Sequence, residues 1–477
     1  MVFPKNLLTH MRDYQKNAFF WMLRLNTMNL GGLLADDMGL GKTLMVLSFL
    51  AKLKELKGVF VSLVVAPTSV LDVWDNEVSK HILNMRAFIW RGTERHHTSF
   101  QIGKIDLLVT SYSILKRDGN SLLYRMHFRY LIIDEAQYVK NPSTDNWKSV
   151  RSINAGQRIA ISGTPIENSI NDLWSILEVL NPYLLGDKFF FNKYYALEIK
   201  KNNLKRLNEL NNRIGHIVLR RKKKDVEQKL PDKIISILKC DMSLEQGLFY
   251  KDIVFSINQN KFHKDDGLKI YLLSVLTKLR QVCCEPKLLL SNNRKYQYLH
   301  SSKILLLMKV LGNCLNIGRK IIIYSQFIKM QRIILDMIKK MGIVNTLWLH
   351  GGTKNRSIII DAFQKNDKYR IIVISLKASG VGVTLTSANT VIYYDPWWNP
   401  AVEDQASDRV HRIGQLKTVH IIKLVCRDSI EEQIVELTNK KRRSAYGVLN
   451  SDLLKNDLSE FDMEELISFE INRLQNI

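Results

Sequence analysis

Cysteine, acidic side chains and long apolar runs are all scarce in this sequence of 477 residues. The five cysteines are an odd number, and no two of them form a C-x-x-C pair. We therefore expect neither a disulfide framework nor a zinc site, and reduced thiols are the default. Because no stretch approaches about 18 consecutive apolar residues, no membrane span is expected. Residues 1–10 lack a basic region followed by an apolar core, so no signal peptide is expected either.

Acidic residues are outnumbered by basic ones. Lysine and arginine total 70, aspartate and glutamate total 46, and the formal net charge is +24. An excess of this size favours a polyanionic partner. On composition alone, a lysine-rich surface that serves only solubility explains the charge equally well.

Short apolar runs alternate with helical stretches along the chain, as in parallel α/β proteins. The first half has such runs at 63–66, 107–110, 130–133 and 158–161, and the second half at 320–324, 370–374, 391–394 and 420–425. Each first-half run ends in a polar loop. Since ligands of such sheets bind beyond the carboxyl ends of the strands, these loops are the places to look for a site.

The pattern predicts four segments. Residues 1–186 form a first α/β lobe, and 187–300 form a helical, basic insertion with a run of five basic residues at 220–224. Residues 301–445 form a second α/β lobe. In 446–477, apolar residues among acids predict one or two small amphipathic helices over 453–472.

The strongest local signal is Gly-Leu-Gly-Lys-Thr at residues 39–43. A glycine-rich turn before a helix lets backbone N–H groups close on phosphates. Lys42 is then expected to reach the β- and γ-phosphates, and the Thr43 hydroxyl to hold Mg²⁺. The strict P-loop pattern has glycine where this chain has Asp36. A chance glycine-rich turn is the alternative, although the apolar entry at 33–34 and a helix predicted over 44–53 supply the expected context.

Asp134 and Glu135 follow the apolar run at 130–133. Asp134 is expected to hold Mg²⁺, directly or through water, and Glu135 to orient an attacking water. Paired acids after a strand are common. Their position at the same sheet edge as Lys42 favours the nucleotide interpretation. Next, Ser162 begins a small polar turn over 162–165, which either relays the nucleotide state to other parts of the chain or is a plain turn.

Arg409 and Arg412 stand three residues apart, so both are expected on one face of a helix. A pair of guanidinium groups facing a cleft can stabilise the charge that builds up on a transferring phosphoryl group. The alternative is a solvated helix with ordinary salt bridges.

Together and in order, these segments resemble the motifs of the Swi/Snf ATPases, over nearly the whole chain. Residues 34–43, 134–137, 161–168, 324–327, 379–382 and 405–415 resemble motifs I to VI, and 279–281 and 395–400 resemble further family markers. The resemblance implies two RecA-like parallel-sheet lobes with a helical insertion between them and a small C-terminal helical segment. It also implies that ATP and Mg²⁺ are used.

The resemblance assigns roles to individual residues. Gln15 is expected to read the adenine edge, and Arg409 and Arg412 match the family's arginine fingers, which come from the second lobe. The nucleotide-binding set further comprises Asp36, Met38, Gly39, Leu40, Gly41, Lys42, Thr43 and Gly380. Contacts to the nucleic-acid backbone are expected at Thr68, Thr110, Ser111, Ser325 and Lys377.

The leading hypothesis is an ATP-driven translocase on double-stranded DNA that remodels or displaces a DNA-bound protein, such as RNA polymerase, a nucleoid protein or a histone. One alternative is a strand-separating DNA or RNA helicase. Another is a basic DNA-binding scaffold with a decayed ATPase, which is disfavoured by the intact residues Lys42, Asp134, Glu135, Arg409 and Arg412. We expect no membrane partner, and a cytoplasmic, nucleoid-associated location in a bacterium or a nuclear one in a eukaryote.

Overall fold

The computed structural model describes residues 3–92, 105–118, 122–163, 170–201, 203–226, 231–259, 268–289, 301–353, 355–376, 385–412, 414–448, 463, 466–470 and 473. The chain divides into two compact units. The first comprises Met1–Lys229 and Val448–Leu454, and the second comprises Leu230–Gly447 and Lys455–Ile477. Among the described residues, no helix combines the length and the apolar character needed to cross a membrane.

The first unit is built on a parallel sheet of seven strands in the order β3-β4-β2-β5-β6-β1-β7. The strands are β1 (Gly32–Leu34), β2 (Ser62–Ala66), β3 (Ala87–Ile89), β4 (Leu107–Ser111), β5 (Phe128–Asp134), β6 (Ala155–Ile161) and β7 (Val218–Leu219). Strands β2 and β4 are buried along their whole length. Burial on both faces explains why they are continuous apolar runs and not alternating ones.

Helices connect these strands. They are α1 (Asp13–Met28), α2 (Lys42–Lys57), α3 (Leu71–His81), α4 (Tyr112–Arg117), α5 (Leu122–Arg125), α6 (Asp145–Arg151), α7 (Ile170–Leu180), α8 (Lys188–Phe191), α9 (Leu197–Lys200), α10 (Leu204–Ile214) and α11 (Lys223–Val226). Parallel strands require such crossover connections, and the crossovers leave the carboxyl ends of β1, β5 and β6 at one edge of the sheet.

The second unit has a parallel sheet of six strands in the order β10-β11-β9-β12-β13-β8. These are β8 (Lys233–Cys240), β9 (Ile321–Tyr324), β10 (Thr346–Leu349), β11 (Ile371–Ile374), β12 (Thr390–Tyr393) and β13 (Val419–Cys426). Along β9, Ile321 and Ile323 enter one apolar cluster while Ile322 and Tyr324 enter another. The period-two alternation therefore feeds two cores, one on each face of the sheet.

The helices of the second unit are α12 (Leu244–Gln259), α13 (Leu268–Cys284), α14 (Ser302–Asn316), α15 (Ile328–Lys340), α16 (Arg356–Lys365), α17 (Pro400–Ser407) and α18 (Ile430–Val448). Of the predicted C-terminal helices, residues 466–470 are described and helical. Leu466 and Ile467 are buried in the apolar cluster that includes residues of α12 and α13.

The predicted fold class is confirmed: each unit has a parallel sheet connected by helices. All eight predicted strands are present, with ends shifted by at most three residues. The segment predicted as a basic insertion, 187–300, is shared between the units. Its first part, through α11, belongs to the first unit and supplies the edge strand β7, while β8 is an edge strand of the second.

Candidate active site

The loop after β1 turns through two glycines with positive φ, Gly39 at 86° and Gly41 at 81°. Residues with a side chain rarely adopt this backbone conformation. A Cβ on Gly41 would also lie 2.6 Å from the Gln15 side-chain nitrogen. Helix α2 begins directly afterwards at Lys42, and Gly41 offers its first turn no side-chain cap. The first N–H groups of the helix and its dipole therefore suit an anion at this loop.

Lys42 is held by the loop that precedes it. Its ammonium group donates to the backbone carbonyls of Asp36, at 2.5 Å, and Asp37, at 3.0 Å. Burial lowers the pKa of Lys42, and the negative charges of Glu135, Asp36, Asp134 and Asp37 oppose this effect. The cation is thus close enough to both acids after β5 to interact with their charges.

Asp134 is the last residue of β5, and its carboxylate has two donors. The indole nitrogen of Trp74 donates to Oδ2 at 2.8 Å, and the backbone N–H of Glu135 donates to Oδ1 at 2.9 Å. The Tyr112 hydroxyl donates to the Asp134 carbonyl at 2.6 Å. Burial, together with the charge of Glu135, raises the pKa of Asp134 to about 6, while the Trp74 hydrogen bond lowers it.

Glu135 has a positive φ of 51°. This backbone conformation is uncommon for residues other than glycine, and such conformations cluster at functional sites. The Gln137 amide nitrogen donates to the Glu135 carboxylate at 2.9 Å, and the Ser162 hydroxyl donates to the Gln137 amide oxygen at 3.0 Å. Ser162 follows β6, so a chain of hydrogen bonds joins the loops after β5 and β6. This is the connection that a relay between the two loops needs.

These groups fit a magnesium nucleotide. Mg²⁺ prefers oxygen ligands, and the Asp134 carboxylate and the Thr43 hydroxyl are the candidates at this sheet edge. A polyphosphate could bind here to three features together: the turn at Gly39 and Gly41, the first N–H groups of α2 and the Lys42 ammonium group. Glu135 places a second carboxylate next to Asp134, where a group that orients an attacking water is expected.

The other predicted nucleotide residues surround the loop. The Gln15 side chain accepts a hydrogen bond from the Arg12 N–H and donates to the Leu40 carbonyl at 3.1 Å. It therefore contacts the glycine-rich loop of residues 35–41, which we call the phosphate loop. Met38 is buried against Gly163, where a Cβ would lie 2.6 Å from the Met38 side chain. Gly380 lies outside the described residues.

The predicted nucleic-acid contacts separate into two groups. Thr68 is exposed at the start of a short 3₁₀ turn. Thr110, Ser111 and Ser325 are buried. The Thr110 hydroxyl donates to the Trp90 carbonyl, and Ser111 caps α4 by accepting from the Ile114 N–H. These three side chains are thus buried and engaged within the first or second unit, and their predicted contacts to a nucleic-acid backbone stay predictions. Lys377 lies outside the described residues.

The expectation that Arg409 and Arg412 share a helix face is wrong. Helix α17 ends at Ser407, and both arginines lie in the turn that follows. The Arg409 N–H bonds to the Ala406 carbonyl, three residues earlier, and the Arg409 carbonyl accepts from the Leu385 N–H. The Gln415 amide nitrogen donates to three further carbonyls, those of Thr386, Ala388 and Val410. The His411 N–H still bonds to the Ser407 carbonyl at 2.9 Å, so the turn after α17 is held both by local hydrogen bonds and by bonds to residues 385–388.

The family markers of the second unit meet at a buried arginine. Arg280, on α13, is 1% exposed and donates to the side-chain oxygen of Gln326 at 3.1 Å and to the Pro396 carbonyl at 2.7 Å. Its guanidinium also lies over the ring of Trp398, 4.4 Å from the centroid. The adjacent Trp397 stacks on Trp398. The tryptophan pair thus packs on a buried cation in this structure.

Trp74 and Tyr112 support Asp134 but belong to none of the predicted site residues, and no role was predicted for the side chain of Arg221. Trp74 lies 60 residues before Asp134 and has no motif around it. Its only signal is its place on the helix after β2, the strand that pairs with β5. A parallel sheet brings that helix to the carboxyl end of β5.

The comparisons with known proteins cover most of the chain. The SNF2-related domain family matches residues 14–288, and the helicase conserved C-terminal domain family matches residues 280–414. An uncharacterized ATP-dependent helicase of Mycoplasma genitalium is 32% identical over 466 residues, which are 97% of this chain and 44% of the relative. A putative ATP-dependent helicase/translocase of Bacillus subtilis, YwqA, is 32% identical over 473 residues, 96% of this chain and 51% of the relative.

Among solved structures, the Sulfolobus solfataricus SWI2/SNF2 ATPase core in complex with dsDNA is similar to this chain. The two sequences are 36% identical and the TM-score is 0.48, and the alignment covers 97% of this chain and 98% of the Sulfolobus chain. The chain spans about half the length of the curated relatives it matches.

Trp74→Phe tests whether the indole orients Asp134 for Mg²⁺. Loss of the hydrogen bond should weaken Mg²⁺ binding about tenfold or more, the usual effect of removing an outer-shell partner of a metal ligand. The measurement is the Mg²⁺ concentration that half-saturates binding of a fluorescent ATP analogue. Trp174→Phe is the matched control, since that indole donates to the Gly186 carbonyl in the same unit. If Trp74→Phe requires the same Mg²⁺ concentration for half-saturation as the unmodified protein, the indole contributes only packing and does not orient Asp134.

Proposed function

We propose that this chain, which belongs to the SNF2-related family, is a DNA-dependent ATPase that moves along double-stranded DNA and remodels or displaces protein–DNA complexes. The observation that supports it most is the arrangement at the carboxyl edge of the first sheet. There the glycine-rich loop and Lys42 lie within electrostatic reach of Asp134 and Glu135. A phosphate-binding loop next to two acids is what ATP hydrolysis requires.

Each group has a separate task in this proposal. Lys42 binds the β- and γ-phosphates, for which it must exchange its hydrogen bonds to the Asp36 and Asp37 carbonyls. Thr43 and Asp134 hold Mg²⁺, which when bound neutralises charge on the phosphates. Glu135 orients the attacking water and accepts its proton. The Gln137 amide holds the Glu135 carboxylate in place and links it to Ser162.

Arg409 and Arg412 are proposed as the arginine fingers, which stabilise charge on the phosphoryl group during transfer. The turn that carries them is held by the hydrogen bonds of Gln415 and Leu385. Such support suits groups that must be positioned before charge develops, because preorganised donors need no rearrangement in the transition state.

Duplex DNA is the proposed polymer. The net charge of +24 suits a polyphosphate backbone, and the Bacillus subtilis relative is named a helicase/translocase. Contacts to phosphate carry no sequence information, as tracking along DNA requires. A strand-separating helicase remains the alternative. Triplex displacement without unwinding of a forked duplex favours the translocase, and efficient fork unwinding favours the helicase.

Duplex DNA should stimulate ATP hydrolysis severalfold or more, and the stimulation should fade with added salt because the contacts are mostly to phosphate. The measurement is phosphate release with duplex DNA, single-stranded DNA, RNA and no nucleic acid, each over a range of salt concentrations. The same rate under all four conditions would contradict a nucleic-acid-dependent motor and leave the scaffold alternative.

Substitution of Lys42 and substitution of the two arginines should have different effects on nucleotide binding and hydrolysis. Lys42→Ala removes a cation from the ground-state phosphate site, so both nucleotide affinity and hydrolysis should fall. Arg412→Ala should leave the affinity for a fluorescent nucleotide nearly unchanged while DNA-stimulated turnover falls. Arginine fingers contribute on the order of 10³–10⁵ in rate in well-studied systems, and a neighbouring arginine can reduce the loss.

The double variant Arg409→Ala/Arg412→Ala removes that neighbour and should lose most of the turnover. Binding and turnover are measured side by side for both single variants and the double. Full turnover in the double variant would mean that these arginines have no part in the chemistry.

A further inference from the structure

A carboxylate stands where the strict P-loop pattern has its first glycine, and it is fully buried. The Asp36 side chain is 0% exposed. A buried carboxylate is costly unless it is paired and hydrogen-bonded. Its partner is Arg221, which lies 185 residues later in the sequence, just after β7. The guanidinium donates through Nε to Oδ1 at 3.0 Å and through Nη2 to Oδ2, so the ion pair is bidentate.

The same guanidinium reaches the other end of the phosphate loop through Tyr14. Its Nη1 donates to the Tyr14 carbonyl, and its centre lies 5.3 Å from the centroid of the Tyr14 ring. The Tyr14 hydroxyl in turn donates to the Leu40 carbonyl at 3.1 Å, between the two glycines of the loop. One arginine therefore constrains the loop at Asp36 directly and at Leu40 through a single residue.

The backbone around Arg221 adds to this attachment. The Ala35 N–H donates to the Leu219 carbonyl at 2.7 Å, and the Asp37 N–H donates to the Arg221 carbonyl at 3.0 Å. The Asp37 carboxylate accepts from the Lys223 N–H at 2.9 Å. The chain after β7 thus runs beside the loop and continues the pairing of β7 with β1 past the end of the strand.

Asp36 and Asp37 are also the residues whose carbonyls hold Lys42. When a phosphate binds the Lys42 ammonium group in their place, these two carbonyls lose a hydrogen-bond donor. The loop then keeps its conformation only through its other contacts. Among these contacts is the charged, bidentate pairing of Asp36 with Arg221.

We propose that Arg221 is a positioning residue, which preorganises the phosphate loop for ATP by clamping Asp36 and Tyr14. This inference rests on the proposed function, in which the loop binds ATP. Preorganisation lowers the cost of ordering the loop when the nucleotide binds. The ground state and the transition state gain from it equally, so its loss raises KM and leaves kcat nearly unchanged.

Arg221→Lys keeps the positive charge and loses the planar two-pronged donor. It should weaken binding of a fluorescent ATP analogue, and raise KM for ATP, by about tenfold, the scale of one lost charged hydrogen bond. At saturating ATP, turnover with duplex DNA should stay within about twofold of the unmodified protein. A structural defect alone would not produce this division between KM and kcat.

Arg206→Lys is the matched control. Arg206 also pairs with a carboxylate, Glu209 at 2.8 Å, and also lies over a tyrosine, 3.8 Å from the ring centroid of Tyr194. It belongs to the same unit but lies on α10, so its replacement should leave nucleotide binding unchanged. Equal weakening in both variants would overturn the proposal, because it would indicate a general loss of stability.

A second pair of variants serves if Arg221→Lys fails to fold. Arg221→Gln leaves the Asp36 carboxylate buried without its cation, whereas Arg221→Gln/Asp36→Asn replaces the ion pair with two amides. The double variant should bind the analogue more tightly than Arg221→Gln alone, a coupling measured by a double-mutant cycle. If the losses of affinity for the ATP analogue are additive, or if Arg221→Lys binds the analogue as tightly as the unmodified protein, the proposed role of Arg221 is wrong.

Failure of the proposed function gives a different result. An unmodified protein that binds the analogue but shows no stimulation by DNA would contradict the proposed motor, while the affinity comparison would still decide on Arg221. An unmodified protein that binds no ATP analogue would overturn both.

Discussion

Strand β1 has three residues, Gly32–Leu34, and its parallel pairing on both sides determines where the candidate site forms. It pairs with β6 on one side and with β7 on the other. The close approach to β6 is visible at Gly31, just before β1, where a Cβ would lie 2.9 Å from the carbonyl oxygen of Arg158 on β6. Because β5, β6 and β1 are consecutive in the sheet, the acids after β5, the Ser162 turn after β6 and the phosphate loop after β1 share one edge.

The same pairing explains why distant parts of the sequence act on one loop. Strand β7 comes from a stretch that begins as helices outside the first predicted lobe, yet it completes the sheet and brings Arg221 to Asp36. Trp74 reaches Asp134 because its helix follows β2, the neighbour of β5. Each loop therefore carries candidate site residues, and side chains from distant parts of the first unit hold them in position.

Much of the fold could be predicted because the central strands are buried on both faces and read as short apolar runs. Very short strands and an exposed edge strand were not predicted as strands. β1 and β7 have only three and two residues, and β8 is an edge strand in which no residue is buried. Residues 39–43, 134 and 135 were found because their chemistry requires particular residue types at particular spacings. The turn after α17 was not predicted, because it is held partly by hydrogen bonds to Leu385, Thr386 and Ala388, which are distant in sequence.

The most direct test of the account is whether Glu135 acts in chemistry while the phosphate loop acts in binding. Glu135→Gln keeps an oxygen that can accept from Gln137 but removes the carboxylate that activates water. This variant should bind about one fluorescent ATP analogue per chain with nearly unchanged affinity. Single-turnover hydrolysis with duplex DNA should fall by about 10² or more, the usual contribution of a general base. Hydrolysis at the unmodified rate, with binding intact, would contradict the placement of the catalytic site at this edge of the sheet.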